Sequence, residues 1–383
     1  MDEQKNRVLL FTYTSIFLSS LSFGTGIVLL PVFIQGLGGS YVDMGLVGAV
    51  RGIPMVFLVL FIGYLADRVN RSTLFIVSLL LNAPPFIALI FATEIYQIII
   101  IQIFQGIANA ILFPASDILI ADLAPKKERI KVMGRYEGSI ISGFLVGPIL
   151  GGIIVDFFSF EALFLTSGII TLVGGILAWG TIGRSYIPPI RKEDLIVKFS
   201  KLNIIRILPV ILVMLPYGVV IAVLISIFPG YVSNLGFVPM QVGFILATLS
   251  FSRIIICFNI EKVMKIGVRR VIAMAGSGLT ISLIFLSFQQ GIIGLSIAVF
   301  IVGIFSGILF PVVLASIPQR VPRKNIGTAM GLLSASHGLG SLIGPIGGGI
   351  IAVLWAPNVV YIALGLLTII IIPLSLTWGK QEK

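Results

Sequence analysis

Long apolar runs recur along the whole chain and set its fold class. Each run is about 20 residues or longer, the length that a helix needs to cross the hydrocarbon core of a bilayer. None alternates as a membrane barrel requires, and a helix satisfies its own backbone hydrogen bonds in lipid. We therefore predict an all-α membrane protein with twelve transmembrane helices, at residues 8–34, 42–64, 73–93, 95–121, 136–158, 160–183, 203–232, 238–259, 271–288, 291–317, 327–353 and 357–378.

The composition agrees with a membrane protein. Hydrophobic residues make up 57% of the chain and charged residues only 11%, which is too few charges to cover the surface of a soluble domain. The first apolar run is too long for a signal peptide, and no small-residue cleavage site follows it. We therefore expect the first helix to be retained.

The basic residues predict the orientation of the chain. Of the 26 Lys and Arg residues, 24 lie in segments or at span ends on one side of the predicted topology, and only Arg51 and Arg253 lie deep inside spans. The positive-inside rule assigns that side to the cytoplasm. We expect a multi-pass protein of the plasma membrane with both termini cytoplasmic. The net charge of +11 is then a topology signal, and no nucleic-acid partner is expected.

One glycine-rich motif occurs twice and indicates an internal repeat. Its first copy runs from Gly134 to Gly152, and its second copy, from Gly331 to Gly349, repeats its glycines and its Gly-Pro pair after 197 residues. Nearer the start of each half the shift is 198, as between Gly38 and Gly236. A parallel repeat predicts two pseudo-symmetric six-helix halves, at residues 1–183 and 203–383, joined by a cytoplasmic linker at residues 184–202.

A short polar segment carries a family resemblance. Gly63, Asp67, Arg68 and Arg71 fit the loop signature that joins the second and third spans in the major facilitator superfamily, although Asn70 stands where that family usually has glycine. The glycine motif resembles the fifth-span signature of the exporters and antiporters of the family. The resemblance implies twelve helices, alternating access and transport of a small molecule, but it names no substrate.

The resemblance also implies where the glycine motif lies. In this family the fifth span packs against the eighth and the eleventh against the second, so both copies are expected at the seam between the halves, where small residues let helices approach closely. We further expect Glu137 and Arg253 to pair across that seam. The predicted seam residues of the motif are Gly143, Gly147, Pro148, Gly151, Gly340, Gly344, Pro345 and Gly348.

The loop signature implies a cytoplasmic latch that closes the cytoplasmic side. Asp67 is expected at the N-terminus of the eleventh span, where the helix dipole favours an anion. Arg71 is expected to pair with Asp122, with Asp117 as the second choice. Gly63 and Arg68 complete the predicted latch, although a run of charges that only sets topology is the alternative for Arg68.

Polar residues inside the spans are the candidates for substrate contact. Ionisable groups in the membrane are costly and mark functional sites, so Arg51 and His337 are expected to line a central cavity, with a structural hydrogen bond as the alternative for His337. Gln102 stands where proton-driven exporters of the family often have arginine, which argues against simple proton antiport. The remaining cavity candidates are Gln105, Asn109, Tyr217 and Ser306, each with a helix–helix hydrogen bond as its alternative.

We therefore predict a secondary active transporter of a small organic molecule, with export slightly favoured. The alternative is uptake of an organic anion or sugar by symport or uniport, and a non-transporting membrane sensor is less favoured because the loops are short. No catalytic constellation is found, so we expect no enzyme. A single cysteine and a single histidine argue against a metal site. We expect no cofactor, a monomer in the lipid bilayer, and protons as a candidate coupling ion.

Overall fold

The computed structural model describes residues 2–58, 69–123, 129–182, 204–321 and 326–378, and these residues are almost entirely helical. The helices of the first half are α1 Asp2–Gly26, α2 Leu30–Gly36, α3 Tyr41–Val50, α4 52–58, α5 Arg71–Leu81, α6 Ala83–Leu89, α7 Ile95–Leu123, α8 Arg129–Phe157 and α9 Phe160–Ile182. Those that follow are α10 Ile204–Ser226, α11 Phe228–Asn234, α12 Pro239–Met264, α13 Val268–Ser287, α14 Ile292–Arg320, α15 Ile326–Leu354, α16 Val359–Thr368 and α17 Ile371–Ser375, and a 3₁₀ turn at Leu376–Trp378 ends the described chain.

Twelve segments of the described chain are long and apolar enough to cross a membrane, which confirms the predicted number. Several predicted spans consist of two helices, because a proline lies in the first turn of the second helix. Pro31 in α2, Pro84 in α6 and Pro229 in α11 are each the second residue of the helix. Proline has no backbone N–H to donate to the preceding turn, so it is tolerated at a helix start and interrupts a longer one.

Some helices extend beyond the predicted spans on the side that carries the basic segments. Helix α8 begins at Arg129 rather than at residue 136, and α12 continues to Met264 rather than ending at residue 259. The apolar run marks only the part of a helix that suits lipid, whereas its backbone hydrogen bonds continue into the polar region. Sequence hydropathy therefore underestimates the length of these helices.

The helix boundaries repeat with the shift found in the sequence. Helices α7 and α8 correspond to α14 and α15 after 197 residues, and α2 corresponds to α11 after 198. Gly38 and Gly236 both adopt the left-handed conformation, with φ of +82° and +90°. This conformation favours glycine, so the repeat includes the backbone of the matching turns.

The chain divides by packing into two compact units. The first contains Met1–Gly38, Ile53–Lys192 and Val238–Ala247, and the second contains Gly39–Gly52, Glu193–Phe237 and Thr248–Lys383. In the first unit α1 packs on α8 and α9, and α5 packs on α7. In the second unit α15 packs on α10 and α3, and α13 packs on α14 and α16. Residues 39–52 and 238–247 thus pack with the helices of the opposite sequence repeat.

The end of α14 is held by an aromatic side chain from the end of the chain. The guanidinium carbon of Arg320 lies 4.2 Å from the ring centre of Trp378, and Arg320 is only 6% exposed. Burial lowers the pKa of Arg320 from its usual value. A guanidinium over an indole face is an attractive arrangement, so this contact connects the C-terminal turn to α14.

Candidate functional site

Two close helix crossings join elements of the two sequence repeats. In the second unit, a Cβ on Gly45 of α3 would overlap the carbonyl oxygen of Pro345 in α15, and a Cβ on Gly349 would overlap the carbonyl oxygen of Tyr41. In the first unit, a Cβ on Gly243 of α12 would overlap the carbonyl oxygen of Pro148 in α8. The two crossings are equivalent by the sequence repeat. Each brings backbone against backbone, which only glycine permits here.

A polar contact joins the two helices of the crossing in the first unit, whereas in the second unit a polar contact joins α3 to α11. Asp156, near the end of α8, accepts a hydrogen bond of 3.0 Å from the backbone N–H of Met240 in the first turn of α12. A carboxylate at that position satisfies a helix N–H that lacks an intrahelical partner. In the second unit, the side-chain amide of Asn234 donates to the hydroxyl of Tyr41 at 2.5 Å. The backbone crossings are therefore matched, while the polar contacts beside them differ.

The glycines predicted at the seam face other helices instead. In the first copy of the motif, Cβ atoms on Gly143, Gly147 and Gly151 would lie 2.6–2.7 Å from backbone atoms of α1. The seam prediction is therefore wrong for these three residues. Their spacing of four places them on one helix face, whereas Pro148 and Gly152 lie one residue further along, a rotation of about 100°. That neighbouring face is the one that meets α12, with a Cβ on Gly152 2.5 Å from the Cα of Met240.

The second copy of the motif has the same arrangement. Gly340 and Gly344 lie against α10, with their Cβ positions 2.5 Å from the carbonyl oxygen of Leu215 and 2.9 Å from the Cα of Val219. The nearest atoms to a Cβ on Gly348 belong to Val223, also in α10. The seam prediction is also wrong for these three glycines. Among the eight motif residues predicted at the seam, Pro148 and Pro345 are the two that lie at the crossings. The sequence analysis missed Gly45, Gly243, Gly152 and Gly349, although the repeat already paired Gly45 with Gly243 and Gly152 with Gly349.

Four helices of the second unit bring a cation and three rings together. Arg253 of α12 donates from Nη2 to the hydroxyl of Tyr217 in α10 at 2.6 Å. The Tyr217 ring stacks on Phe310 of α14, with ring centres 5.9 Å apart and planes at 27°. The ring of His337 in α15 lies on Tyr217 at 5.7 Å. These four residues are called the Arg253 cluster below. Phe310 was missed because one phenylalanine among 27 carries no signal of its own.

The predicted role of Arg51 stays a prediction. Arg51 directly follows α3 and is half-buried. A Cβ on its neighbour Gly52 would lie 3.4 Å from the backbone nitrogen of Leu342, so this part of the chain runs beside α15. The ring of His337 on the same helix packs on Tyr217 of α10. Glu137 is half-buried on α8, and its pairing with Arg253 also stays a prediction.

Buried amides connect two helices in the first unit. Gln105 of α7 donates from Nε2 to the side-chain oxygen of Asn82, at the junction of α5 and α6, at 2.6 Å. Asn82 donates in turn to the carbonyl oxygen of Ser78 at 2.7 Å. The alternative role of Gln105 as a helix–helix hydrogen bond is therefore the one its contact shows. Asn82 was not singled out because a lone asparagine before two prolines is typical of a turn.

The other polar candidates on α7 and α14 are buried in this conformation. Gln102 and Ser306 are 0% exposed and Asn109 is 7% exposed. Within the described part of the chain, neither amide atom of Gln102 has a hydrogen-bond partner. An unpaired buried amide is costly, which makes Gln102 a position where another polar group is favourable. Ser306 donates to the carbonyl oxygen of Gly303 at 3.3 Å, a bond within its own helix.

Most of the predicted latch lies outside the described residues. Gly63, Asp67 and Arg68 fall in the segment between residues 58 and 69, and the side chain of Asp122 is likewise not described. Arg71 begins α5 and is 4% exposed. Asp117, the second choice as its partner, is hydrogen-bonded to Tyr136 of α8. Tyr136 also shares a hydrogen bond of 2.7 Å with Ser116. The latch therefore stays a prediction.

Among the described residues, no group of three or more His, Cys, Asp and Glu side chains has the geometry to hold a metal ion. What the Arg253 cluster offers a ligand is hydrogen bonding from Arg253 and contact with aromatic rings.

Comparison with known proteins gives a consistent set of relatives. A family model, the Major Facilitator Superfamily, matches residues 12–264 and 262–383. The multi-drug resistance efflux pump PmrA of Streptococcus pneumoniae serotype 4 is 25% identical over 366 residues, covering 91% of this chain and 90% of its own length. Multidrug resistance protein 2 of Bacillus subtilis strain 168 is 25% identical over 400 residues, covering 100% of this chain and 97% of its own.

Solved structures share the fold. The nucleoside transporter NupG superimposes with a TM-score of 0.80 at 12% identity, covering 97% of this chain and 100% of its own. A bacterial homologue of the human lysosomal transporter Spinster, in an inward-facing and unoccupied conformation, superimposes with a TM-score of 0.81 at 14% identity, covering 100% and 99% of the two chains. At these identities the likeness concerns the fold alone.

Proposed function

The chain belongs to the major facilitator superfamily, and we propose that it exports small organic molecules across the membrane by alternating access. It is a multi-pass membrane transporter, and its described residues contain twelve segments long and apolar enough to span the membrane. Export is the direction proposed because the streptococcal relative, matched over 90% of its length, is a multi-drug resistance efflux pump. The relative from Bacillus subtilis is a multidrug resistance protein of nearly the same length.

The observation that carries alternating access is the pair of equivalent crossings. Gly45 against Pro345 and Gly243 against Pro148 are related by the sequence repeat, and both join helices of opposite repeats. Backbones that touch at a glycine offer a smooth surface without interlocking side chains. Two such surfaces in equivalent places suit a movement in which one group of helices rocks against the other around a site near the membrane midplane.

The orientation, partners and latch form part of the same proposal. We place both termini and the basic segments in the cytoplasm by the positive-inside rule, in the plasma membrane, with the chain acting as a monomer. Asp67, Arg68 and Arg71 are proposed to close the cytoplasmic side, with Asp122 as the partner of Arg71. Translocation needs no covalent change of the substrate, so the proposed activity is not enzymatic. Protons are the first coupling ion to test.

A second candidate is uptake of an organic anion. It is favoured by Arg51 and Arg253, two cations inside spans, because a positive site attracts an anion from either side of the membrane. The direction of transport is decided by the conformational cycle and its coupling to an ion gradient. The same binding site is therefore compatible with both candidate functions.

The proposed function is tested by dye accumulation in cells that lack their own multidrug exporters. Cells producing the chain and control cells are loaded with a panel of anionic, neutral and cationic fluorescent dyes. We expect a lower steady-state content of at least one dye in the producing cells, and a faster loss of that dye after loading. Faster entry of dye would favour the uptake candidate, and equal contents for every dye contradict the export proposal.

A further inference from the structure

The Arg253 cluster is held in place by close backbone packing. A Cβ on Gly307 of α14 would lie 3.2 Å from the Cγ of Arg253 and 3.3 Å from its Cα. A Cβ on Gly218, next to Tyr217, would lie 2.5 Å from the carbonyl oxygen of His337. Glycine at both positions lets α14 and α15 approach the helices that carry Arg253 and Tyr217. The geometry of the cluster is therefore set by backbone contacts, and a ligand would meet a preorganised site.

The members of the cluster differ in their accessibility. Tyr217 is only 3% exposed, whereas Arg253, Phe310 and His337 are half-buried. Tyr217 is thus the most enclosed of the four, and its hydroxyl accepts a hydrogen bond from Arg253. That bond uses one of the five donors of a guanidinium. The remaining donors and two partly accessible rings are left for contact with a ligand.

In the described spans of this unit, the acidic and the basic residues lie at different depths in the membrane. Their acids are Asp43, in the first turn of α3, and Glu261, close to the end of α12. Each lies eight residues along the chain from a cation, Arg51 or Arg253, which is about 12 Å by helix rise. The acids therefore lie near span ends, and the cations lie deeper. Arg253, as a cation inside the membrane, is stabilised by an anionic group close to it, and a bound substrate can supply such a group.

We propose that the Arg253 cluster is a recognition site for aromatic anions, that is, planar aromatic molecules carrying a carboxylate or sulfonate. Arg253 binds the anionic group through paired N–H donors, a geometry that suits its planar guanidinium. The rings of Phe310 and His337 contact the aromatic body of the substrate. Tyr217 is a positioning residue, because its hydroxyl orients Arg253. The inference rests on the proposed export function and specifies the substrate class of its site.

The test compares two dyes that share a xanthene ring but differ in charge, the anion fluorescein and the cation rhodamine 6G. Export of each is measured in dye-loaded cells producing the full chain or a variant. Arg253→Gln is expected to lower fluorescein export about tenfold or more, the loss typical of a hydrogen bond to a charged group, and to change rhodamine 6G export less than about twofold. Lys262→Gln is the matched control, because it removes an exposed positive charge from the same helix.

Tyr217→Phe separates positioning from packing. It keeps the ring that stacks on Phe310 and removes the hydroxyl that holds Arg253. We expect the half-saturation concentration for fluorescein to rise several-fold while the maximal rate stays close to that of the parent chain. Arg253→Lys keeps the charge without the paired donors and should give an intermediate loss. These two variants keep the test decisive if Arg253→Gln proves to fold poorly by size-exclusion chromatography.

The outcomes distinguish this inference from the proposed function. Export of rhodamine 6G alone would overturn the substrate class and leave the export function standing. An equal loss of both dyes in Arg253→Gln and Tyr217→Phe would also overturn it, because the cluster would then serve structure only. If no dye of the anionic, neutral and cationic panel is exported, the export function fails and the inference fails with it.

Discussion

Gly45 lies against the carbonyl group of Pro345 so closely that a single added methyl group would overlap the oxygen atom. The equivalent residues of the other repeat, Gly243 and Pro148, have the same relationship. In a regular helix each backbone N–H donates to the carbonyl oxygen four residues earlier. Proline has no N–H, so Pro148 and Pro345 leave the carbonyl oxygens of Phe144 and Ser341 without that donor. Both crossings therefore occur where α8 and α15 depart from regular helical bonding, which makes them natural places for bending.

Alanine at either crossing glycine tests this packing. Gly45→Ala and Gly243→Ala are each expected to lower the free energy of unfolding by about 1–3 kcal/mol, the cost typical of overpacking, and to slow transport. The measurement is thermal unfolding of the purified protein, together with initial transport rates. Gly347→Ala is the control, because a Cβ at that position of α15 meets no atom within 4 Å. Equal stability of all three variants would contradict the assigned contacts.

The amide contact between Gln105 and Asn82 is expected to stabilise the first unit. Asn82→Ala leaves the Gln105 amide buried without the oxygen that it now bonds at 2.6 Å. A double-mutant cycle with Gln105→Ala should give a coupling of about 0.6–1.7 kcal/mol, the range for hydrogen bonds between membrane helices. Unfolding in detergent gives the free energies of unfolding of the parent chain, the two single variants and the double variant. Simple additivity of the two changes would show that the bond contributes nothing to stability.

The contact between Arg320 and Trp378 is expected to hold the C-terminal turn. Trp378→Leu removes the aromatic face that lies 4.2 Å from the guanidinium, and should cost about 0.5–2 kcal/mol. Trp378→Phe keeps an aromatic face and should lose less. Thermal unfolding of the two variants compares them directly. If leucine and phenylalanine prove equally destabilising, packing alone and no cation–π contact explains the site.

The predicted cytoplasmic latch can be tested through the accessibility of the cytoplasmic side. Asp67→Asn should weaken the closed cytoplasmic side and shift the population toward conformations open to the cytoplasm, because a neutral amide interacts less with a helix N-terminus. Cys257 is the only cysteine, so Cys257→Ser provides a background for single reporter cysteines on the cytoplasmic side. Their labelling rate should rise in Asp67→Asn. An unchanged labelling rate and unchanged transport would argue for a topology role only.

The sequence predicted the elements of the fold well, since they follow from local signals. The number of spans comes from hydropathy, and the repeat comes from matched glycines and prolines, such as Gly38 and Gly236. It failed on the orientation of the glycine motif, where Gly147 faces α1 and its neighbour Pro148 faces α12. A step of one residue turns the side chain around the helix axis and so decides which neighbouring helix it meets. The rotation of the helix about its axis is set by the packing of the whole bundle.

The candidate site was predicted only in part, because it too depends on the packing of the whole bundle. Tyr217, Arg253 and His337 were each identified as polar or charged residues within spans, yet nothing in the sequence brings them together. Their meeting depends on how α10, α12 and α15 pack, and that packing brings the hydroxyl of Tyr217 to the guanidinium of Arg253. Likewise, it is the packing of α7 beside Asn82 that gives Gln105 its helix–helix hydrogen bond.

The central claim, coupled export by alternating access, is tested most directly in liposomes that contain only this protein. Proteoliposomes are selected for molecules whose termini face outward, so that export moves substrate into the lumen, and a panel of fluorescent substrates is added outside. With a proton or sodium gradient directed out of the lumen, we predict that at least one substrate accumulates above its equilibrium level, and that this accumulation collapses when an ionophore dissipates the gradient. Equilibration without accumulation for every substrate and both gradients would contradict the account.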